Sequence, residues 1–114
     1  MEKIAEIYER WRSDYKRLWE LAPEIQKTFN NLHMSTHKDG VLSIKIKELV
    51  AIGISVAIQC VPCIAIHTKL ALDAGATRDE IVEASAMAVI LTGGSGAAYI
   101  GRVFESIDTF STKV

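Results

Sequence analysis

Apolar side chains recur at intervals of three and four along most of the chain, the period that lays them on one face of an α-helix. Ile4, Ile7, Tyr8, Trp11, Tyr15, Leu18 and Trp19 form one such stripe, with Arg10, Arg12, Lys16 and Arg17 on other faces. Pro23 suits the first turn of a second helix, where its missing N–H has no partner to lose. That helix is expected from Glu24 to about Met34, with Ile25, Phe29 and Leu32 turned inward. His33 to Gly40 reads as a polar connection ending in an Asp39-Gly40 turn. Ser43 is a candidate N-cap for a third helix reaching about Gln59. The start of that helix, Ile44-Lys45-Ile46-Lys47, alternates like a strand, but the alanines of the longer run favour helix.

Pro62 fits the first turn of a fourth helix, running to Ala74, and Gly75 fits the left-handed position just beyond it. Thr77-Arg78-Asp79-Glu80 has the spacing of a capping box, opening a fifth helix to about Leu91. Gly93-Gly94-Ser95-Gly96 interrupts the pattern, and a sixth helix follows to about Phe110. The pattern predicts an all-α fold of about six helices. It holds no alternation of strands and helices, so a thioredoxin fold is excluded. The 114 residues suggest a single domain, 1–114, with N-terminal helices in 1–40 and a core in 42–110.

Charge narrows the partners. The formal net charge is −1, so no broad basic field exists to attract nucleic acid. Leu49 to Ile58, the longest apolar stretch, is too short to span a bilayer, and the charged start Met1-Glu2-Lys3 has no secretory apolar core. A cytoplasmic location is expected, with no membrane partner. The hydrophobic fraction is 49% and the mean hydropathy +0.18, both high for a small monomer. Some apolar surface is therefore expected to be buried between copies of the chain.

The chemistry concentrates at Cys60-Val61-Pro62-Cys63, followed by His67. These are the only two cysteines, and in a reducing compartment such a pair is more often catalytic or metal-binding than structural. With Pro62 in the first turn, Cys60 falls near the N-cap and Cys63 inside that turn, where free N–H groups and the helix dipole stabilise a thiolate. Cys63 and His67 are four residues apart, so they share a helix face and the imidazole can take the thiol proton. Glu48, Ser55 and Gln59 draw a polar line along the third helix toward Cys60. If Glu48 faces the interior, burial should raise its pKa. If it lies at the rim, it should pair with Lys45 or Lys47.

Other readings stand beside this one. The cysteines could be ordinary buried thiols. Cys60, Cys63 and His67 could also hold zinc, with Glu48, His33, His37 or a residue of another chain as fourth ligand. His33 and His37 are expected to be solvated unless another subunit brings them near Cys63. The glycines at 93–96 lack the Lys and the preceding strand of a phosphate loop and read as a close helix junction.

Lys47-Glu48-Leu49-Val50-Ala51 followed by Cys60-Val61-Pro62-Cys63-Ile64-Ala65-Ile66-His67 resembles the signature of the alkyl hydroperoxide reductase D-like proteins, in the carboxymuconolactone decarboxylase superfamily. That pattern sets a glutamate twelve residues before the first cysteine and a histidine four after the second; Glu48, Cys60, Cys63 and His67 fit. Ala71 to Thr77, Glu80-Ile81 and Gly93-Gly94 extend the likeness, which spans roughly Leu42 to Phe104.

The resemblance implies an all-helical homo-oligomer, trimer or hexamer, that reduces small-molecule peroxides or disulfides. It implies Cys63 as attacking thiol, Cys60 as proton donor and resolving thiol, and His67 with Glu48 as proton relay. A thiol or dithiol reductant would reset the pair, with no cofactor and no metal. Pro62 stands where some members carry a further histidine. The alternatives are a non-redox lyase of the decarboxylase type, a ligand-binding helical oligomer, or a Cys/His zinc module.

Overall fold

The computed structural model describes residues 2–111; Met1 and residues 112–114, the ends of the expected domain, lie outside the described residues. Six helices follow one another: α1 (Ile4–Leu21), α2 (Pro23–Thr36), α3 (Ile44–Ala57), α4 (Val61–Asp73), α5 (Arg78–Thr92) and α6 (Gly94–Phe110). No strand occurs among the described residues, so the fold is all-α as the periodicity predicts.

Local chemistry sets the helix starts. Ser43 Oγ accepts the Ile46 N–H at 3.2 Å, and Asp39 Oδ1 accepts the Ile44 N–H at 2.8 Å. Two donors that the first turn of α3 leaves free are thereby bonded, and the strand-like alternation of residues 44–47 is overridden. At α5 the capping box closes in both directions: Thr77 Oγ1 accepts from Glu80 N–H, and Glu80 Oε1 accepts from Thr77 N–H.

The helix ends correct the expected boundaries. α3 stops at Ala57, two residues before Gln59. Gln59 adopts φ +60°, Cys60 N–H bonds Ser55 C=O at 3.0 Å, and Gln59 N–H bonds Val56 C=O at 3.1 Å. This is a Schellman turn, usually built on glycine, with a glutamine in the left-handed position. Gly75 makes the same turn after α4, at φ +92°. α2 runs two residues further than expected, to Thr36. Between α5 and α6 only Gly93 breaks the helix, with φ +70°; Gly94 to Gly96 already belong to α6.

The core is built from one face of each of four helices: Ile52 and Val56 of α3, Ile64 and Ala71 of α4, Ile81 and Ala88 of α5, Val103 and Ile107 of α6. α3 packs on α4 and α5, and α6 packs on the same two from another side. α1 lies across α4 and α6, with Ile4 and Ile7 buried. Glu105 Oε2 accepts the Ile4 N–H at 2.8 Å and so holds the first turn of α1 in place.

α2 behaves differently from its expected pattern. Among the helices its backbone comes close to α1 alone. Ile25, Phe29 and Leu32, expected inward, are 69%, 55% and 64% exposed, while Gln26 is fully buried. The helical period identifies an apolar face but does not say what covers it, and the described residues leave these three side chains more than half exposed.

Candidate active site

The Schellman turn delivers Cys60 to the start of α4. Cys60 is the N-cap, its Sγ accepting the Cys63 N–H at 3.2 Å, and Pro62 stands in the first turn as the sequence predicts. Cys60 and Cys63 are joined in a disulfide, with their Cα atoms 5.2 Å apart. Both are partly buried. On reduction, Cys63 would sit in the first turn of α4, at the positive end of the helix dipole, a setting that favours thiolate.

Glu48 is 5% exposed on α3 and faces α4. Its Oε1 lies 2.6 Å from His67 Nδ1, and its Oε2 lies 3.0 Å from His37 Nδ1. Burial alone would raise its pKa, as the sequence leads one to expect. The hydrogen bonds and charge of His67 and His37 outweigh burial and hold the carboxyl below the usual 4.5. Glu48 is therefore ionised and can only accept, so each Nδ1–H donates and each ring keeps Nε2 free to exchange a proton. The rim alternative does not hold: Lys45 binds Glu80 at 2.9 Å, and Lys47 donates to the carbonyls of Thr36 and Lys38.

Those two Lys47 bonds pin the segment between α2 and α3 and carry His37 to Glu48. His37, expected to be solvated, is the residue that sequence reasoning missed. It stacks on His33 with ring centroids 5.5 Å apart. Burial and the neighbouring charge of His37 push His33 below the usual 6.5, against the pull of Glu48. The two histidines lie one helical turn apart, which signals a shared face but not what that face meets. Of the polar line on α3, Ser55 is buried and donates to Ala51 C=O, while exposed Gln59 donates to Ser95 Oγ.

Cys63 and His67 line a cavity of about 630 Å³ between α1, α2 and α4; Cys60 does not. No cluster of three or more His, Cys, Asp or Glu side chains among the described residues is arranged to hold a metal ion. No helix of the described residues is long and apolar enough to cross a membrane.

Comparisons with known proteins place the fold and the family. A family model described as the carboxymuconolactone decarboxylase family matches residues 23–105. An uncharacterized protein of Cupriavidus necator is 30% identical over 82% of this chain and 83% of its own. An uncharacterized protein of the cox locus of Paracoccus denitrificans is 31% identical over 74% and 76%. A crystal structure of a carboxymuconolactone decarboxylase family protein from Legionella pneumophila superposes with a TM-score of 0.92 at 32% identity, covering 96% of this chain and 97% of that one. A family protein from Thermotoga maritima shares the fold, with a TM-score of 0.79 at 24% identity over 90% and 87%. By its matched family model and its likeness in sequence and fold to the Legionella family protein, and in agreement with the alkyl hydroperoxide reductase D-like resemblance, this chain belongs to the carboxymuconolactone decarboxylase family.

Proposed function

We propose that this protein is a thiol-dependent oxidoreductase that reduces organic peroxides or disulfides through the Cys60–Cys63 pair. The observation that carries this reading is a disulfide at a helix start whose second sulfur opens to a cavity beside the Glu48–His67 pair. Cys63 thiolate attacks the outer oxygen of a hydroperoxide. The O–O bond breaks, an alcohol leaves with one proton, and Cys63 becomes a sulfenic acid. Cys60 thiol then attacks that sulfur, releasing water and forming the disulfide. A dithiol donor reduces it, becoming a disulfide itself and returning two thiols. For a disulfide substrate, Cys63 attacks sulfur instead and Cys60 resolves the mixed disulfide. His67 accepts and returns the proton, and Glu48 holds its ring in the useful tautomer.

We further propose that the whole chain, 1–114, is one such domain, works in the cytoplasm, and assembles as a trimer or hexamer. Supporting assembly, Ile46, Val50, Ile54, Met87 and Leu91 line an apolar groove of about 390 Å³ between α3 and α5. Steady-state consumption of cumene hydroperoxide with dithiothreitol as donor tests the function. Cys63→Ser and Cys60→Ser are each expected to abolish turnover. Full turnover by Cys63→Ser would exclude the mechanism.

A further inference from the structure

The cavity beside Cys63 has a chemistry of its own. Its walls are mostly aromatic and aliphatic, with Tyr8, Trp11 and Tyr15 from α1, Ile25 and Phe29 from α2 and Leu70 from α4. A volume of about 630 Å³ lies within the range of small-molecule sites. Gln26 also lines it, fully buried, and among the described residues neither its Nε2 nor its Oε1 has a hydrogen-bond partner. An unpaired buried amide is costly, and this one has both a donor and an acceptor to satisfy. Thr68 Oγ1 is similarly unpaired but does not line the cavity. Of the other polar lining residues, Asn30 Oδ1 accepts from the Tyr15 hydroxyl at 3.5 Å, Lys69 binds Asp73 at 3.0 Å, His67 meets Glu48 through Nδ1 at 2.6 Å, and His33 stacks on His37.

We propose that this cavity seats the organic reactant of the thiol pair, and that Gln26 selects it by pairing with one carboxamide-type group on an otherwise apolar body. A carboxamide presents one donor and one acceptor side by side, matching both atoms of Gln26. A carboxylate would leave Oε1 unpaired, and an ammonium would leave Nε2 unpaired. The reactant reaches Gln26 by parting the side chains between α1 and α2, the helix that comes close to α1 alone.

The inference rests on the thiol reading for the word reactant, but binding is measurable without redox chemistry. The disulfide form is titrated with 3-phenylpropanamide, 3-phenylpropanoate and ethylbenzene, followed by protein NMR shifts and tryptophan fluorescence. The amide is expected to bind at least about tenfold tighter than the carboxylate. Gln26→Met, which keeps side-chain length and removes an unpaired buried group, is expected to weaken the amide about tenfold and leave ethylbenzene within about twofold. Equal affinity for amide and carboxylate in the unsubstituted protein would overturn the proposal. So would an unchanged amide affinity in a folded Gln26→Met. Oxidation by hydrogen peroxide, followed by mass, reads the thiols separately. Inert thiols beside amide-selective binding would remove the peroxide reading and leave the assigned selectivity of Gln26 standing; redox-active thiols beside amide-blind binding would do the reverse.

Discussion

Glu48 shows how one tertiary contact reverses an expectation drawn from burial. A lone buried carboxyl would be hard to ionise; flanked by His67 and His37 it is held ionised below its usual value. The sign for stability follows. Glu48 contributes stability that is present above about pH 4.5 and lost as pH falls through its lower folded value. His33, also shifted down, favours the unfolded chain once acid begins to protonate it below about pH 6.5. Thermal melts against pH are therefore expected to show stability falling on acidification, starting near pH 6.5 and steepening below pH 4.5. Glu48→Gln should remove the lower step and His33→Gln the upper. A melting temperature independent of pH between 7 and 4 would contradict both assignments.

Cys60, Cys63 and His67 were legible as a group because spacing places them within the start of one helix; for Glu48 spacing left interior and rim both open, and the family resemblance joined it to them. His37 was not, because the two Lys47 bonds that carry it to Glu48 are invisible in the spacing. Gln26 was hidden for a similar reason: it is one of many polar residues in α2 yet takes the buried position that Ile25 and Phe29 were expected to fill.

At the scale of elements, the starts were easier to read than the ends. Ser43, Pro62 and the Thr77–Glu80 box each act through their own side chains over three residues, so the sequence displays them. The end of α3 does not, because Gln59 takes a left-handed backbone that the sequence would assign to glycine. The small residues at the α5–α6 junction matter through packing. A Cβ on Gly96 would collide with the Thr92 side chain and lie 2.9 Å from both Ala88 O and Val89 Cα. Gly96→Ala is expected to destabilise the fold by about 1–3 kcal/mol, as overpacking does, read as a lower denaturation midpoint. Gly94→Ala, whose Cβ meets nothing within 4 Å, is the control. Equal stability of the two variants would refute close packing at Gly96.

At the scale of the whole molecule, the chain leaves a large apolar surface uncovered. Ile46, Val50, Ile54 and Ile58 run along the outer face of α3, beside Met87, Ile90 and Leu91 of α5, and all are exposed. This explains the high hydropathy of so small a protein and is the physical ground for the proposed assembly. Ile54→Glu would place a charge in that face and is expected to shift light-scattering mass toward the 12.6 kDa monomer while leaving helical content intact. An unchanged mass would move the contact elsewhere, with the exposed face of α2 next in line.

The redox pair itself is tested most directly by intact mass. The reduced protein is weighed before and after one equivalent of cumene hydroperoxide. A loss of two hydrogens, reversed by a dithiol and absent in Cys60→Ser and Cys63→Ser, is the expected result. An unchanged mass with both thiols still free would contradict peroxide chemistry at this site.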